Sequence, residues 1–272
     1  MKNENLKKYA LITGGTSGIG KELARLFAQD GYHLLLVARG EAGLNTTKQE
    51  LESQYGVEVI TIAKDLSDVN AAFELYDEVS RQHIFVDVLV NNAAQGQYGL
   101  FIKSDVRRLL EIIQLNAATL TALTYLFLKD MVAQNRGKIL QLGSIASETP
   151  GPWQAVYHAT KAFVRSLSDS IRYEIKDTDI TVTVLEPGAT DTDFFRKADM
   201  QDSKILDSGL SDPAKVAEDG YKALHSGKDT IISGVKNKLL VATNNILPEQ
   251  MAAAQMDKMQ GPKDGSPKSP SK

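Results

Sequence analysis

A doubly wound α/β sheet is the fold this chain predicts, and three observations carry the prediction. Apolar runs alternate with amphipathic stretches from Lys8 to about Ile232. The runs are apolar throughout rather than at every second position. The first of them opens into a glycine-rich turn and a helical pattern. Such alternation marks strand, helix, strand units in a parallel sheet, and unbroken apolar runs suit strands covered on both faces.

Taken in order, strands are expected at Tyr9 to Thr13, His33 to Ala38, Glu58 to Ala63, Val86 to Asn91, Lys138 to Leu142, Thr181 to Leu185 and Thr230 to Ile232. Helical patterns lie between them at 19–30, 41–55, 68–83, 103–134, 154–177 and 212–226. Pro187 to Ser211 follows a strand, has no clear period and carries several Asp and the pair Phe194 and Phe195, so it reads as a long functional loop or lid. Pro248 to Gln260 reads as a further helix. Its Met251, Met256 and Met259 suit packing on the body, with a subunit contact or a pocket cover as alternatives. The expectation is a single domain over 1–260 with about seven strands and helices on both faces. A tail over 261–272 is expected to be disordered, because its mix of Pro, Gly, Ser and Lys offers little to bury.

Bulk composition excludes several classes of function. With 272 residues, a net charge of -3 and a pI near 5.9, the chain can bury a substantial core but presents no basic field for nucleic acid or anionic lipid. No stretch approaches eighteen consecutive apolar residues and no export-type segment opens the chain, which predicts a cytoplasmic protein with no membrane partner. The absence of cysteine removes disulfides, thiolate nucleophiles and thiolate metal sites. None of the four histidines, His33, His83, His158 and His225, pairs with another at a ligand spacing, so no metal is expected.

The turn Thr13-Gly14-Gly15-Thr16-Ser17-Gly18-Ile19-Gly20 stands between a strand and a helix, where backbone N–H groups and the helix dipole favour a phosphate. Its spacing, Gly-x-x-x-Gly-x-Gly, differs from the Gly-x-Gly-x-x-Gly fingerprint, and a tight turn with no ligand is the alternative reading. It is not a Walker loop, since the Gly-Lys-Ser/Thr ending is missing. Arg39 stands at the end of the second strand, where an acidic residue would bind the ribose 2'-hydroxyl of NAD. A guanidinium there clamps a 2'-phosphate instead, which predicts NADP(H). Ser17 supplies no second cation.

Tyr157 and Lys161 lie four apart on a helical pattern, so their side chains share a face, and an ammonium there favours the phenolate. Among nine tyrosines a Tyr-x-x-x-Lys match arises about once by accident, and Tyr125 with Lys129 is such a match. Position 112, thirteen before Tyr125, is Ile, whereas position 144, thirteen before Tyr157, is Ser and follows a strand. A phenol with a pKa near 10 must come down to about 7–8 to exchange protons at neutral pH, which requires roughly 3–4 kcal/mol, to be supplied by Lys161 and an oxidised nicotinamide together.

With the glycine turn, Asn91-Asn92-Ala93-Ala94, Ser144, Tyr157-His158-Ala159-Thr160-Lys161 and Pro187-Gly188 in order, the chain closely resembles the short-chain dehydrogenase/reductase family over about residues 8–232. It departs from the pattern at Ala94, where family members commonly have Gly. The resemblance implies a Rossmann-type NADP-binding and catalytic domain. In it Tyr157 protonates a carbonyl oxygen that Ser144 holds, Lys161 binds the nicotinamide ribose, and Asn116 holds a proton-relay water.

The same resemblance implies cofactor contacts at Gly14, Thr16, Ser17, Gly18, Ile19, Gly20 and Arg39, with Asp65 at the adenine and Asn91 near the adenosine ribose. Pro187, Gly188, Thr190 and Thr192 lead to the carboxamide. Read from the residues alone, Asn116 suits a cap or a solvated face, and Asp65 suits a helix cap near Ser67. The expected partner is a small carbonyl or alcohol, in a pocket lined by 95–99, 145–156 and 189–212 with Trp153, Phe194 and Phe195 as apolar surface. A homodimer or homotetramer through the two long helices is also expected. An epimerase or dehydratase would need a larger substrate domain than the forty or so residues after the last strand provide. A non-catalytic NADP-binding regulator or sensor remains the alternative.

Overall fold

The structure, a computed structural model, describes residues 7–244, 246–263 and 265. Seven strands, β1 (Tyr9–Thr13), β2 (His33–Ala38), β3 (Val59–Ala63), β4 (Val86–Asn91), β5 (Lys138–Leu142), β6 (Thr181–Glu186) and β7 (Thr230–Ile232), form one sheet in the order β3-β2-β1-β4-β5-β6-β7. Every pairing is parallel. The helices are α1 (Gly18–Gln29), α2 (Glu41–Tyr55), α3 (Asn70–Arg81), α4 (Val106–Ile113), α5 (Leu120–Gln134), α6 (Ala155–Glu174), α7 (Phe194–Lys197), α8 (Pro213–His225), α9 (Val235–Asn244) and α10 (Glu249–Gln260).

Side-chain alternation along the strands explains why they are apolar at every position. In β1, Ala10 and Ile12 face a layer built from Leu23 and Phe27 of α1, Leu44 of α2 and Leu224 of α8. Tyr9 and Leu11 face the opposite layer, built from Leu75 and Val79 of α3 and Leu123, Phe127 and Met131 of α5. In β2, Leu34 and Leu36 take the first side and Leu35 and Val37 the second. Each fully buried side chain of this size contributes about 1.5–3 kcal/mol.

The strand order reverses between β1 and β4, which opens a crevice at their C-terminal ends. Thr13 and Asn92 tie that crevice together. The Thr13 hydroxyl accepts from the N–H groups of Asn92 and Ala93, both at 3.0 Å, and the Asn92 amide donates to the Thr13 carbonyl at 2.9 Å.

Three elements depart from the expectation. The long helix over 103–134 contains a π-turn at Gln114–Thr119. The loop after β6 holds α7 and a 3-10 turn, Lys204–Ser208. Beyond β7 stands α9, whose weak amphipathicity hid it. Gly261 to Lys263, assigned by composition to the disordered tail, are paired instead: Lys204 N donates to Gly261 O at 3.1 Å and Lys263 N to Asp202 O at 2.9 Å. Residues 264 and 266–272 of that tail lie outside the described residues. The run Val106–Gln134 is long and apolar enough to cross a membrane by length and composition. In the fold its Leu115, Leu123, Phe127 and Met131 pack against the sheet.

Candidate active site

A cleft of about 600 Å³ runs along the C-terminal ends of the strands, from Arg39 at one end to Tyr157 and Phe194 at the other. The glycine turn forms its floor. Gly14 N donates to Val37 O at 2.8 Å, which anchors the turn on β2. Ser17 stands at the N-cap of α1 without a side-chain capping bond, so the first N–H groups of the helix stay free to face an anion. Gly18 has φ +53°, and a Cβ there would come within 2.8 Å of the Thr192 methyl. A Cβ on Gly20 would come within 2.4 Å of both Gly14 O and the Asn92 amide nitrogen. Gly14, Thr16, Ser17, Gly18 and Ile19 all line the cleft, with Thr190 and Thr192 across from them and Pro187 at the end of β6. This cradle of bare backbone, with cations at one end, fits a dinucleotide phosphate chain.

At that end Arg39 is exposed, lines the cleft and forms no ion pair among the described residues. Lys64, a residue that sequence reasoning passed over, stands beside it. Its N–H donates to Ala38 O at 2.9 Å, and its ammonium pairs with Glu74 at 2.8 Å. Asp65 lines the cleft, and its carboxylate accepts from Ser67 N at 3.0 Å. That bond makes a local turn, because α3 begins only at Asn70.

Three of the residues expected at the cofactor are not on the cleft wall: Gly20, packed against Gly14 O and the Asn92 amide, Asn91 and Gly188. Asn91, expected at the adenosine ribose, turns its side chain into the protein, where its amide donates to Thr124 Oγ1 and to Gln141 Oε1, both at 3.0 Å. Strand alternation is the reason: adjacent residues at the end of β4 point to opposite sides, and Asn92 is the one that reaches the glycine turn. Gly188 lies against Asn237 of α9, whose side chain a Cβ would meet at 2.4 Å. Its contribution is that close approach, which only glycine permits.

The polar groups converge where β5, α6 and β6 meet. Ser144 starts the 3-10 turn Ile145–Glu148; its hydroxyl accepts from Ala146 N at 3.1 Å and is bonded to Pro187 O at 3.4 Å. It also acts on Tyr157, whose phenol it draws down. Lys161 is buried, donates to Leu142 O at 2.6 Å, and holds its ammonium 5.6 Å from the centre of the Tyr157 ring. Burial lowers the Lys161 ammonium to about 8. The same burial pushes the Tyr157 phenol up to about 12, against the smaller opposing effect of Ser144. In the protein alone, desolvation therefore outweighs Ser144, and the lowering expected from the sequence calls on the oxidised nicotinamide together with Lys161. The decoy pair is elsewhere: Tyr125 and Lys129 are exposed on the outer side of α5.

Asn116 lies in the π-turn and is buried. Its Oδ1 accepts from Gln95 N at 2.9 Å, and its Nδ2 donates to Gln95 O at 2.8 Å and to Thr160 Oγ1 at 3.1 Å. The solvated-face reading is thereby corrected: the widened turn aims the amide at the loop after β4, where it satisfies both backbone groups of one residue. Asn116→Ala is expected to leave Gln95 N and O unpaired, at about 1–3 kcal/mol of stability each. Turnover should fall while NADPH affinity stays nearly intact, as paired stopped-flow and binding measurements would show. An unchanged rate would return Asn116 to a purely architectural role.

Phe194 from the loop after β6 covers the tyrosine, with ring centres 5.1 Å apart, and its edge meets Gly96. Phe195 lines the cleft beside it, whereas Trp153 is stacked on Tyr98 with centres 5.6 Å apart. Of the segments expected to line the pocket, Gln95 and Gly96 do so, with Thr190, Thr192, Asp193, Phe194, Phe195 and Lys197 after β6, and residues 145–156 do not. Gln260, at the end of α10, joins the lid to the body: its carbonyl accepts from Tyr98 and Ser203 hydroxyls, both at 2.7 Å, and its amide nitrogen lies 3.1 Å from His158 Nε2.

Comparison with known proteins agrees with this geometry. The family model described as short chain dehydrogenase matches residues 8–203. The very-long-chain 3-oxoacyl-CoA reductase of Laccaria bicolor is 34% identical over 65% of this chain, which spans 55% of that protein's length, about half. The 7beta-hydroxysteroid dehydrogenase of Clostridium sardiniense is 26% identical over 94% of this chain and 97% of that one. Among solved structures, a short-chain dehydrogenase from Sphingobium yanoikuyae in complex with NADPH matches with a TM-score of 0.77 and 27% identity, covering 83% of this chain and 87% of the other. The sheet order, the glycine cradle and the grouped serine, tyrosine and lysine thus have one explanation: the chain belongs to the short-chain dehydrogenase/reductase family of NAD(P)-dependent oxidoreductases that act on carbonyl and alcohol groups.

Proposed function

We propose that the chain is an NADP-preferring carbonyl reductase or alcohol dehydrogenase with Tyr157 as its general acid and base. The observation that carries this reading is the buried Lys161 ammonium, 5.6 Å from the centre of the Tyr157 ring and anchored on Leu142 O two residues before Ser144. Ser144 holds the carbonyl oxygen, Tyr157 gives it a proton in reduction and takes it back in oxidation, and Lys161 favours the phenolate left behind. Gly14, Gly18 and Ile19 hold the phosphates, Arg39 the 2'-phosphate, Asp65 the adenine, Thr190 and Thr192 the carboxamide, and Lys161 the ribose. The bound nicotinamide supplies or accepts the hydride. Phe194 and Phe195 give the substrate end an apolar wall, which suits a ketone with bulky apolar flanks. The steroid and very-long-chain acyl groups in the two relatives' names point the same way. We place the protein in the cytoplasm, since the apolar run Val106–Gln134 packs on the sheet. NADPH oxidation against a panel of ketones, aldehydes, quinones, sugars and acyl carbonyls tests the reading, and no turnover on any of them would favour the sensor alternative.

Arg39→Ala is expected to weaken NADPH binding by roughly 1.5–3 kcal/mol, the range for hydrogen bonds to charged groups, while NADH binding changes little. Calorimetry with both cofactors checks it; equal losses would remove Arg39 from cofactor selection.

Self-association is expected through the outer faces of α4, α5 and α6, where Val106, Leu110, Ile113, Tyr125, Val132, Phe163 and Tyr173 are exposed. Light scattering at micromolar concentration should give the mass of a dimer or tetramer, and a sharp monomer mass would contradict the expectation.

A further inference from the structure

Arg165 follows Lys161 by four residues on α6, so Tyr157, Lys161 and Arg165 recur along one face of the helix. Its Nη1 donates to Glu186 Oε1 at 2.9 Å and to Glu148 Oε1 at 3.2 Å, and its Nε donates to Asp169 Oδ2 at 3.0 Å. Glu186 ends β6 with its side chain fully buried, and its other oxygen, Oε2, meets no donor among the described residues. Glu148 closes the 3-10 turn that Ser144 starts. Pro187, the neighbour of Glu186, accepts through its carbonyl from the Ser144 hydroxyl and from Ile145 N at 3.1 Å. One guanidinium thus joins the two segments whose junction fixes the serine.

Three carboxylates meet one guanidinium, and the two more buried of them, Glu186 and Glu148, resist full ionisation together. The groups that face Glu186 are few. Arg165 approaches from α6 and Glu148 from the 3-10 turn, and the two carboxylates meet the same Arg165 Nη1. Gly143, after β5, packs so closely that a Cβ would lie 3.2 Å from Glu186 Cγ. Ser233, beyond β7, donates its N–H to Glu186 O at 3.0 Å and its hydroxyl to Asp219 at 2.8 Å. Asp169, paired with Arg172, stands behind Arg165. Arg165 is therefore the one cation directed at the pair among the described residues. Burial, with the charge of Glu148 added, pushes Glu186 up to about 7 despite Arg165.

We propose that Glu186 is a positioning residue for the reaction at Tyr157: with Glu148 it shares one proton over Arg165, and the shared proton keeps the Ser144 turn seated on Pro187. The positioning role rests on the reading of Ser144 and Tyr157 as the reacting groups; the proton sharing does not. The proton comes from solvent and returns to it. When it leaves, the two carboxylates repel and the turn that carries Ser144 loses its seat.

Two measurements on the full chain test this. Isotope-edited infrared titration without substrate should show a protonated glutamic acid that persists to about pH 7. That signal should be missing in Glu186→Gln and should move to lower pH in Glu148→Gln, where the burial of Glu186 remains but the second carboxylate is gone. The pH dependence of kcat/KM is the second. Gln mimics the protonated acid, so Glu186→Gln should match the wild type near pH 6. One unit above the titration only about one wild-type molecule in ten keeps the proton, so near pH 8 the variant should be up to about tenfold faster. A purely structural Glu186 would shift the rate at every pH alike. Absence of a protonated carboxyl above pH 6, or parallel pH profiles for wild type and Glu186→Gln, overturns the proposal. An infrared signal without turnover of any carbonyl overturns the reductase reading and the positioning role with it, and leaves the shared proton established.

Discussion

Tyr157→Phe is expected to lower carbonyl reduction by ~10² to 10⁴, the range for removing a general acid, with NADPH still bound. The substitution keeps the ring and its contact with Phe194, and deletes only the hydroxyl on which Ser144 acts. Tyr125→Phe, with Lys129 four residues on, is expected to change the chemical step hardly at all, because that tyrosine is exposed on the outer side of α5. Single-turnover rates on a confirmed substrate separate the two. Full activity in both variants would exclude the tyrosine mechanism and strengthen the sensor alternative.

Lys161→Met should be comparably damaging to turnover and yet nearly neutral or stabilising for the fold. The ammonium is 3% exposed, and its lowering from 10.5 to about 8 represents at most about 3 kcal/mol of unfavourable desolvation at neutral pH. Against that, the variant leaves Leu142 O without its 2.6 Å donor, at about 1–3 kcal/mol. The two effects nearly cancel, so Tm should move by only a few degrees. The sign with pH is determinate. A folded pKa below the unfolded one gives a contribution fully present above about 10.5 and lost as pH falls through about 8. The wild type should therefore gain stability on Lys161→Met as pH rises from about 7 to 10. Activity should move the opposite way, falling above about 8 as the ammonium that favours the phenolate is lost. A large drop in Tm for the variant at pH 7 would show that Lys161 is mainly architectural.

These expectations differ in how far the sequence alone reaches them. The alternation of apolar runs and helical patterns determined the seven strands, the parallel sheet and the place of the glycine turn, because burial on both faces of a strand and on one face of a helix leaves a periodic record in the residues themselves. Ser144, Tyr157 and Lys161 were legible for a related reason: two share a helix face and the third begins the turn after a strand.

What the sequence does not record is which neighbour a side chain meets across the fold. Asn91 and Asn92 are adjacent and identical, and only the pleat of β4 and its pairing with β1 decide that Asn92 reaches the glycine turn while Asn91 turns inward to Thr124 and Gln141. Asn116 was assigned by propensity to a cap or a solvated face, and the π-turn aims it at Gln95 instead. The lowering of the Tyr157 phenol was assigned to Lys161 and the oxidised nicotinamide together; the desolvation that opposes it in the protein alone is a property of everything packed around the ring and leaves no mark in the sequence. Glu148, Arg165 and Glu186 lie too far apart in the chain for any spacing to link them, and meet because β6, α6 and the turn after β5 close on one point. Periodicity is local and survives in the sequence; burial, register and the meeting of distant charges are sums over the whole fold, and only the tertiary structure decides them.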